Sequence, residues 1–201
     1  MGKIKELQKL LRIEEEKSED EVKEQFGKIA DMLFQDFHIE KKVEEKVVRY
    51  DFLEIEFYFY SKNHPDSITY PRKTEAGDWF PHYSGMDIAF KSDKEQYGGV
   101  LIRCLLKDKN EVIAGPLRCF CELCAGMNMS GRPISLQLVE NEKQEEKLKI
   151  EWTIRKGIAA NKEYANNKYC AYVRERDECD SEWKNGTQYY NAKPWERENK
   201  K

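Results

Sequence analysis

LEIEFYFYSKNHPD, residues 53–66, is the stretch on which the reading of this 201-residue chain turns. As a β-strand over 53–60, its period-two alternation places Leu53, Ile55, Phe57 and Phe59 on one face and Glu54, Glu56, Tyr58 and Tyr60 on the other. A carboxylate then stands beside a phenol ring, a pairing that suits a pocket where a general base activates water next to a flat, stacked ligand. The same alternation also fits a half-buried strand whose polar face meets solvent.

Outward from this strand, further strands are expected at 85–90, 98–106, 134–140, 148–155 and 169–175. The first forty residues read as helical. Ile4, Leu7, Leu10 and Leu11 share one face, and Ser18 with Glu21 forms a capping-box pattern that opens a second helix. Val22, Phe26, Ile29, Ala30, Leu33 and Phe34 make its apolar stripe, whose usual fate is packing against the body. EKKVEEK, residues 40–46, reads as a charged connector, and the Glu/Lys run at 140–149 as a solvated hairpin loop. Many strands with few helices between them predict an α+β fold: a mixed, largely antiparallel curved sheet with amino-terminal and peripheral helices in a single domain. The expected organisation is an amino-terminal helical extension (1–46), an α+β body (47–176) and an aromatic, charged carboxy-terminal tail (177–201) carrying Trp183, Tyr189, Tyr190 and Trp195.

Composition bounds the class. Charged residues make up 36% and hydrophobic ones 39%, which is polar for a globular domain, yet 11 Tyr, 9 Phe and 4 Trp argue for a packed core. The amino terminus lacks the apolar run of a signal peptide, and no segment approaches the length of a membrane helix. A cytoplasmic location without membrane association is the expectation.

Six cysteines in such a chain are expected to be free thiols rather than disulfides. Cys119, Cys121 and Cys124 have a tempting spacing for zinc, but Pro116 after Gly115 opens a helix on which Cys119 and Cys121 lie about 200° apart. Three thiols so placed do not converge on one ion, and the expected apolar stripe is Leu117, Phe120, Cys121 and Cys124. No metal and no cofactor is implied.

Five segments, taken in order, resemble the methylpurine (alkyladenine, or 3-methyladenine) DNA glycosylases. Glu54-Ile55-Glu56-Phe57-Tyr58 with His64-Pro65-Asp66 is similar to the family's catalytic strand and its following loop. Tyr83-Ser84-Gly85-Met86-Asp87-Ile88 looks like the family's Tyr-Gly-Met step, and Gly98-Gly99-Val100-Leu101-Ile102-Arg103 like its Gly-x-x-Val-Leu-Leu-Arg strand. Gly115-Pro116 and Glu163-Tyr164-Ala165 through Tyr172-Val173 complete a resemblance spanning residues 47–174.

The resemblance implies a DNA repair hydrolase that flips an alkylated or damaged purine out of double-stranded DNA and cleaves its N-glycosidic bond with a Glu-activated water. Glu56 would take the proton of that water and Arg103 would hold both. Tyr58, His64, His82 and Tyr83 would wall the base, and Ser84, Met86, Arg72 and Lys91 would lie toward the DNA. Aromatic walls would favour a cationic, N-alkylated base by about 0.5 to 2 kcal/mol per contact. No lysine is placed for a Schiff base, so the expected enzyme is monofunctional, and a monomer.

Two features depart from the family. Ser84 stands where the family's wedging tyrosine precedes Gly-Met, and the net charge is −3, although Arg72, Lys73, Lys91, Arg118, Arg132, Lys156, Lys162 and Lys168 leave room for a basic face. Two other classes therefore stand beside the first. One is a fold relative that binds or hydrolyses a free nucleoside, nucleotide or small planar ligand; the other is a non-catalytic protein-binding module.

Overall fold

The computed structural model describes residues 2–127, 131–142, 147–159, 162 and 164–173. The aromatic tail from 177 onward lies outside the described residues.

Two helices open the chain, α1 (Lys3–Leu10) and α2 (Glu19–Gln35). The capping box is formed: the Ser18 hydroxyl accepts from the Glu21 amide, and the Glu21 carboxylate accepts from the Ser18 amide at 2.9 Å. Every residue of the expected stripe, from Val22 to Phe34, is buried. Each of these side chains larger than Ala30 contributes about 1.5 to 3 kcal/mol relative to an exposed one. The centre of this packing is Phe26, whose ring stacks on Phe57 with centroids 4.5 Å apart. The amino-terminal helices are therefore built into the core of the body.

Residues 40–46 are not a connector. They belong to β1 (Phe37–Val43), a two-residue turn at Glu44 and Glu45, and the start of β2 (Lys46–Ser61), with Val43 opposite Lys46. The charges misled because the strand buries one of them. Lys41 is 5% exposed, and its ammonium donates to the Glu122 carbonyl at 2.5 Å. That carbonyl lies in the last turn of α3 (Pro116–Cys124), where a helix favours a cation.

The other strands are β3 (His64–Pro65), β4 (Trp79–His82), β5 (Gly85–Ala89), β6 (Tyr97–Lys107), β7 (Glu111–Ala114), β8 (Ile134–Glu140), β9 (Ile150–Thr153) and β10 (Cys170–Val173). They form one curled sheet whose main path runs β4-β5-β6-β2-β1-β8. The class is α+β, and each pairing among the described residues is antiparallel rather than mixed. β8 pairs with β1 and β9 pairs with β10, so the strands flanking the expected hairpin loop at 140–149 are not each other's partners; residues 143–146 of that run lie outside the described residues. No helix of the described residues is long and apolar enough to cross a membrane.

β2 is the spine, paired with β1, β3, β6 and β10. Its register with β6 slips around Leu53 and Arg103, a bulge that aims the following residues. Beyond it the alternation holds, with Ile55, Phe57 and Phe59 in the core. The opposite face is not a solvent face, because Glu54 and Glu56 are buried too. Close approach of β6 depends on glycine. A Cβ on Gly98 would lie 2.9 Å from the Phe59 Cα, and one on Gly99 would lie 3.1 Å from Arg72 Nη1 and from the Asp87 Cβ.

α3 begins as expected at Gly115-Pro116, with Gly115 at φ +101°, a conformation that favours glycine. Its apolar face is rotated from the expected one. Cys119 and Leu123 are buried, whereas Leu117 and Cys121 are exposed. Packing on β5 and β6 sets this rotation, and Cys119 donates its thiol to the Ile113 carbonyl at 3.2 Å.

Candidate active site

Glu56 sits on β2 opposite Leu101 and Cys170 and is 0% exposed. One oxygen accepts from the Tyr58 hydroxyl at 2.7 Å and from Arg103 Nη1 at 2.5 Å; the other accepts from the Lys156 amide at 2.7 Å. Glu56, Tyr58 and Arg103 are thus brought together. They form a buried cluster beside the cleft that Tyr58 lines, and Glu56 and Arg103 are not among that cleft's lining residues.

A second carboxyl shares the arginine. Glu54 Oε1 lies 3.4 Å from Arg103 Nε and accepts the Cys170 thiol at 3.3 Å. Burial pushes the Glu54 carboxyl up to about 7, against the opposing pull of Arg103. Burial alone would lower the Arg103 guanidinium, but the carboxylates of Glu56 and Glu54 outweigh it and hold it above its ordinary value. Burial and then the Glu56 charge hold the Tyr58 phenol well above its ordinary range, so it stays a donor.

Glu54, Glu56 and Cys170 each bring one ligand atom within 4.8 Å of the others, a spacing compatible with chelation. Arg103 already lies against both carboxylates, so the group's cation is the guanidinium.

Tyr58 faces two ways. Its hydroxyl reaches Glu56, and its ring lines a cleft with Ile68, Tyr70, Arg72, His82, Ser84, Asp87 and Leu101, of about 60 Å³. Arg155 lies over the Tyr58 ring, 4.6 Å from its centroid, and is fixed by Asp66 at 2.6 Å and by the Phe57 and Tyr164 carbonyls. On the far side Asp87 is buried between Arg72 Nη1, at 2.5 Å, and His82 Nε2, at 2.9 Å. The Ser84 amide donates to His82 Nδ1 at 3.3 Å, which places the imidazole proton on Nε2, toward Asp87. The Arg72 guanidinium also covers the Phe80 ring at 4.2 Å.

Ser84 and Tyr83 occupy the turn of the β4–β5 hairpin, with Tyr83 80% exposed and its hydroxyl against that of Tyr70. Because the chain turns between β4 and β5, Ser84 lines the cleft and Tyr83 stands out from its rim.

Other expected site residues lie elsewhere. His64 is a core residue and no wall of the cleft: Nδ1 meets the Phe59 carbonyl and Nε2 the Tyr169 hydroxyl, both at 2.8 Å. Met86 is 4% exposed within the apolar core, unavailable to DNA. Arg72 is a buried partner of Asp87 in the cleft wall rather than a surface contact, and Lys91 is paired with Glu75. Arg132 pairs with Glu44 at 3.2 Å, which further thins the proposed basic face.

Sequence reasoning did not assign Glu54, Tyr70, Asp87 or Arg155 to the site. For Glu54 the signal was present, since alternation places it on the face of Glu56; for Asp87 it was a lone charge inside an apolar strand. Tyr70 lies in a loop without periodicity, and Arg155 follows the end of β9. No known family profile matches the chain, and no curated protein is significantly similar to it. The resemblance to the methylpurine glycosylases rests on the order of the motifs.

Proposed function

We propose that this protein is a base-recognising hydrolase of the DNA glycosylase type. A planar purine ring, extruded from a duplex, enters the cleft between Tyr58, Tyr70, Arg72, His82 and Ser84. Glu56 then acts on its N-glycosidic bond after Tyr58 has released the carboxylate. The observation that carries this reading is the double position of Tyr58, at once a wall of the cleft and a 2.7 Å donor to Glu56.

Opening is part of the cycle. The cleft, of about 60 Å³, is far below the roughly 300 Å³ at which ligand pockets begin. An entering ring displaces Tyr58, and a water takes the place of its hydroxyl on Glu56. The water oxygen bonds to the sugar's anomeric carbon as the carbon–nitrogen bond breaks, the bonding pair leaves with the base, and the water's proton passes to Glu56. Arg103 and the Lys156 amide remain to hold the carboxylate. Tyr83, exposed on the hairpin tip beside the cleft, is the aromatic available to fill the stack left by the base, the role Ser84 cannot serve.

A second reading is favoured by one specific observation, the complete burial of Glu56 with both oxygens engaged. On it, the cleft binds a free nucleoside or other planar ligand and no bond is broken. Base release from alkylated duplex DNA decides between them. The wild type is expected to release base and Glu56→Gln to release none, whereas equal rates remove Glu56 from the chemistry. No release by the wild type, together with salt-insensitive binding of a free purine nucleoside, gives the second reading.

A further inference from the structure

We infer that Glu54 is the proton-carrying partner of Glu56: the two buried carboxyls divide one guanidinium, and the proton on Glu54 decides whether Arg103 serves Glu56 alone or both. For its functional consequence this rests on the hydrolytic reading above; for its physical content it stands on the cluster itself.

Two carboxylates and one arginine in a region sealed from water carry a net charge of −1 when both acids are ionised. A dry site opposes that charge, so one acid takes a proton, as in other carboxyl pairs that share a site. Geometry decides which one. Glu56 accepts three hydrogen bonds, from Arg103 Nη1, the Tyr58 hydroxyl and the Lys156 amide, all at 2.7 Å or less. Glu54 has Arg103 Nε at 3.4 Å, which is long, and a thiol at 3.3 Å, which is a weak donor. Anionic charge is better solvated on Glu56, and the proton belongs on Glu54.

The groups around Glu54 agree. Arg103 approaches from β6, Cys170 from β10, Glu56 from its own strand, Lys156 from the segment after β9, and Cys119 of α3 lies within electrostatic range. Both thiols are held above their ordinary range by burial and stay neutral, so they supply no counter-charge. The lift of Glu54 to about 7 places its proton exchange in the neutral range. Glu54 is a positioning residue. With its proton on, Arg103 is held undivided to Glu56; with it off, the guanidinium is drawn toward Glu54.

The test follows side-chain carboxyl carbons and the Arg103 Nε by NMR while pH is raised, in the full chain labelled with ¹³C-glutamate and ¹⁵N-arginine and without any ligand. One glutamate is expected to titrate with a midpoint near 7, and the Arg103 Nε resonance is expected to move with it. In Glu54→Gln that signal should vanish. In Glu56→Gln it should fall by roughly 1 to 3 on the pH scale, because Arg103 then belongs to Glu54. The inference is overturned if no wild-type glutamate titrates above pH 6, if the neutral signal survives Glu54→Gln, or if its midpoint is unmoved in Glu56→Gln. The wild-type titration stands alone should either variant fail to fold. A failure of base release leaves these resonances as they are, so the two proposals fail separately. If both hold, base release declines above the Glu54 midpoint in the wild type, and that decline is absent in Glu54→Gln.

Discussion

Tyr58 and Glu56 stand two residues apart on one face of β2 and are joined by a 2.7 Å hydrogen bond, so the wall of the cleft and the buried carboxylate form one unit. Removing the donor tests that unit. Tyr58→Phe keeps the ring but leaves Glu56 with Arg103 and the Lys156 amide, at a cost of about 1.5 to 3 kcal/mol for a hydrogen bond to a charged group. Urea unfolding measures it, and a change under about 0.5 kcal/mol would show that the hydroxyl holds nothing. Because opening precedes hydrolysis in the proposed cycle, base release by the variant should be faster than by the wild type. Slower release opposes a gating role.

Arg103 lies against two buried carboxyls, with side-chain exposure of 3% beside 3% for Glu54 and 0% for Glu56. Arg103→Met leaves the Glu56 carboxylate buried without its cation and is expected to destabilise the fold by roughly 3 to 5 kcal/mol. Adding Glu56→Gln should recover part of that loss, because the remaining uncompensated charge is then removed. A double-mutant cycle in urea measures the coupling, and additive effects would mean that the ion pair is not the unit described.

How much of this was legible beforehand can be traced residue by residue. The core face of β2, the capping box at Ser18, the helix after Gly115 and the strands β5, β6, β8, β9 and β10 follow from periodicity and turn chemistry, which are local, whereas β1, β3, β4 and β7 were not among the expected strands. Lys41 inside a strand, the rotation of Cys119 into the core and the separate partners of β8 and β9 depend on which element lies opposite, and a single sequence does not state that. The site divides the same way. Glu56, Tyr58 and Arg103 were found as neighbours because motif order encodes adjacent strands. That Glu56 is sealed, that His64 is spent on the Phe59 carbonyl and Tyr169, and that Tyr83 rather than Ser84 projects are facts of packing and of one hairpin turn.

Gly98 carries a steric requirement that the sequence shows only as a Gly-Gly pair. A methyl group there meets the Phe59 Cα and the Phe90 ring, each at 2.9 Å, and backbone cannot yield as a flexible side chain does. Gly98→Ala should therefore cost about 1 to 3 kcal/mol, the range of overpacking, by separating β6 from β2. Chemical denaturation and the amide exchange of Phe59 and Phe90 report it. A neutral substitution would show that the two strands are not held this closely.

His64 gives a pH dependence of opposite sign to Glu54. Burial, the largest influence, holds its imidazole below the ordinary range despite the raising effect of the Phe59 carbonyl. Below the unfolded value of about 6.5 the unfolded chain takes up a proton that the folded chain resists. The stability tied to neutral His64 is thus fully present above about 6.5 and is lost as pH falls toward the folded value. Comparing thermal midpoints of wild type and His64→Gln from about pH 7.5 down to about 5 isolates it, since Glu54 contributes to both chains alike. The wild type should lose more; parallel curves would mean that His64 does not titrate with unfolding.

A substitution at Tyr83 tests recognition of a duplex against recognition of a free ring. At 80% exposure it contributes little to the core, so Tyr83→Ala should leave the unfolding midpoint within about 0.5 kcal/mol of the wild type. If Tyr83 fills the gap left by an extruded base, the same substitution weakens binding to damaged duplex DNA by roughly tenfold or more, because a stacked aromatic contributes about 1 to 3 kcal/mol. Affinity for a free purine nucleoside should be almost unchanged, since the cleft is lined by Tyr58, Tyr70, Arg72, His82 and Ser84 and not by Tyr83. Fluorescence anisotropy at two salt concentrations, with duplex and nucleoside in parallel, reads both affinities. Equal loss for the two ligands would make Tyr83 a support for Tyr70 through their hydroxyl contact; loss for neither would leave the hairpin tip without a part in recognition.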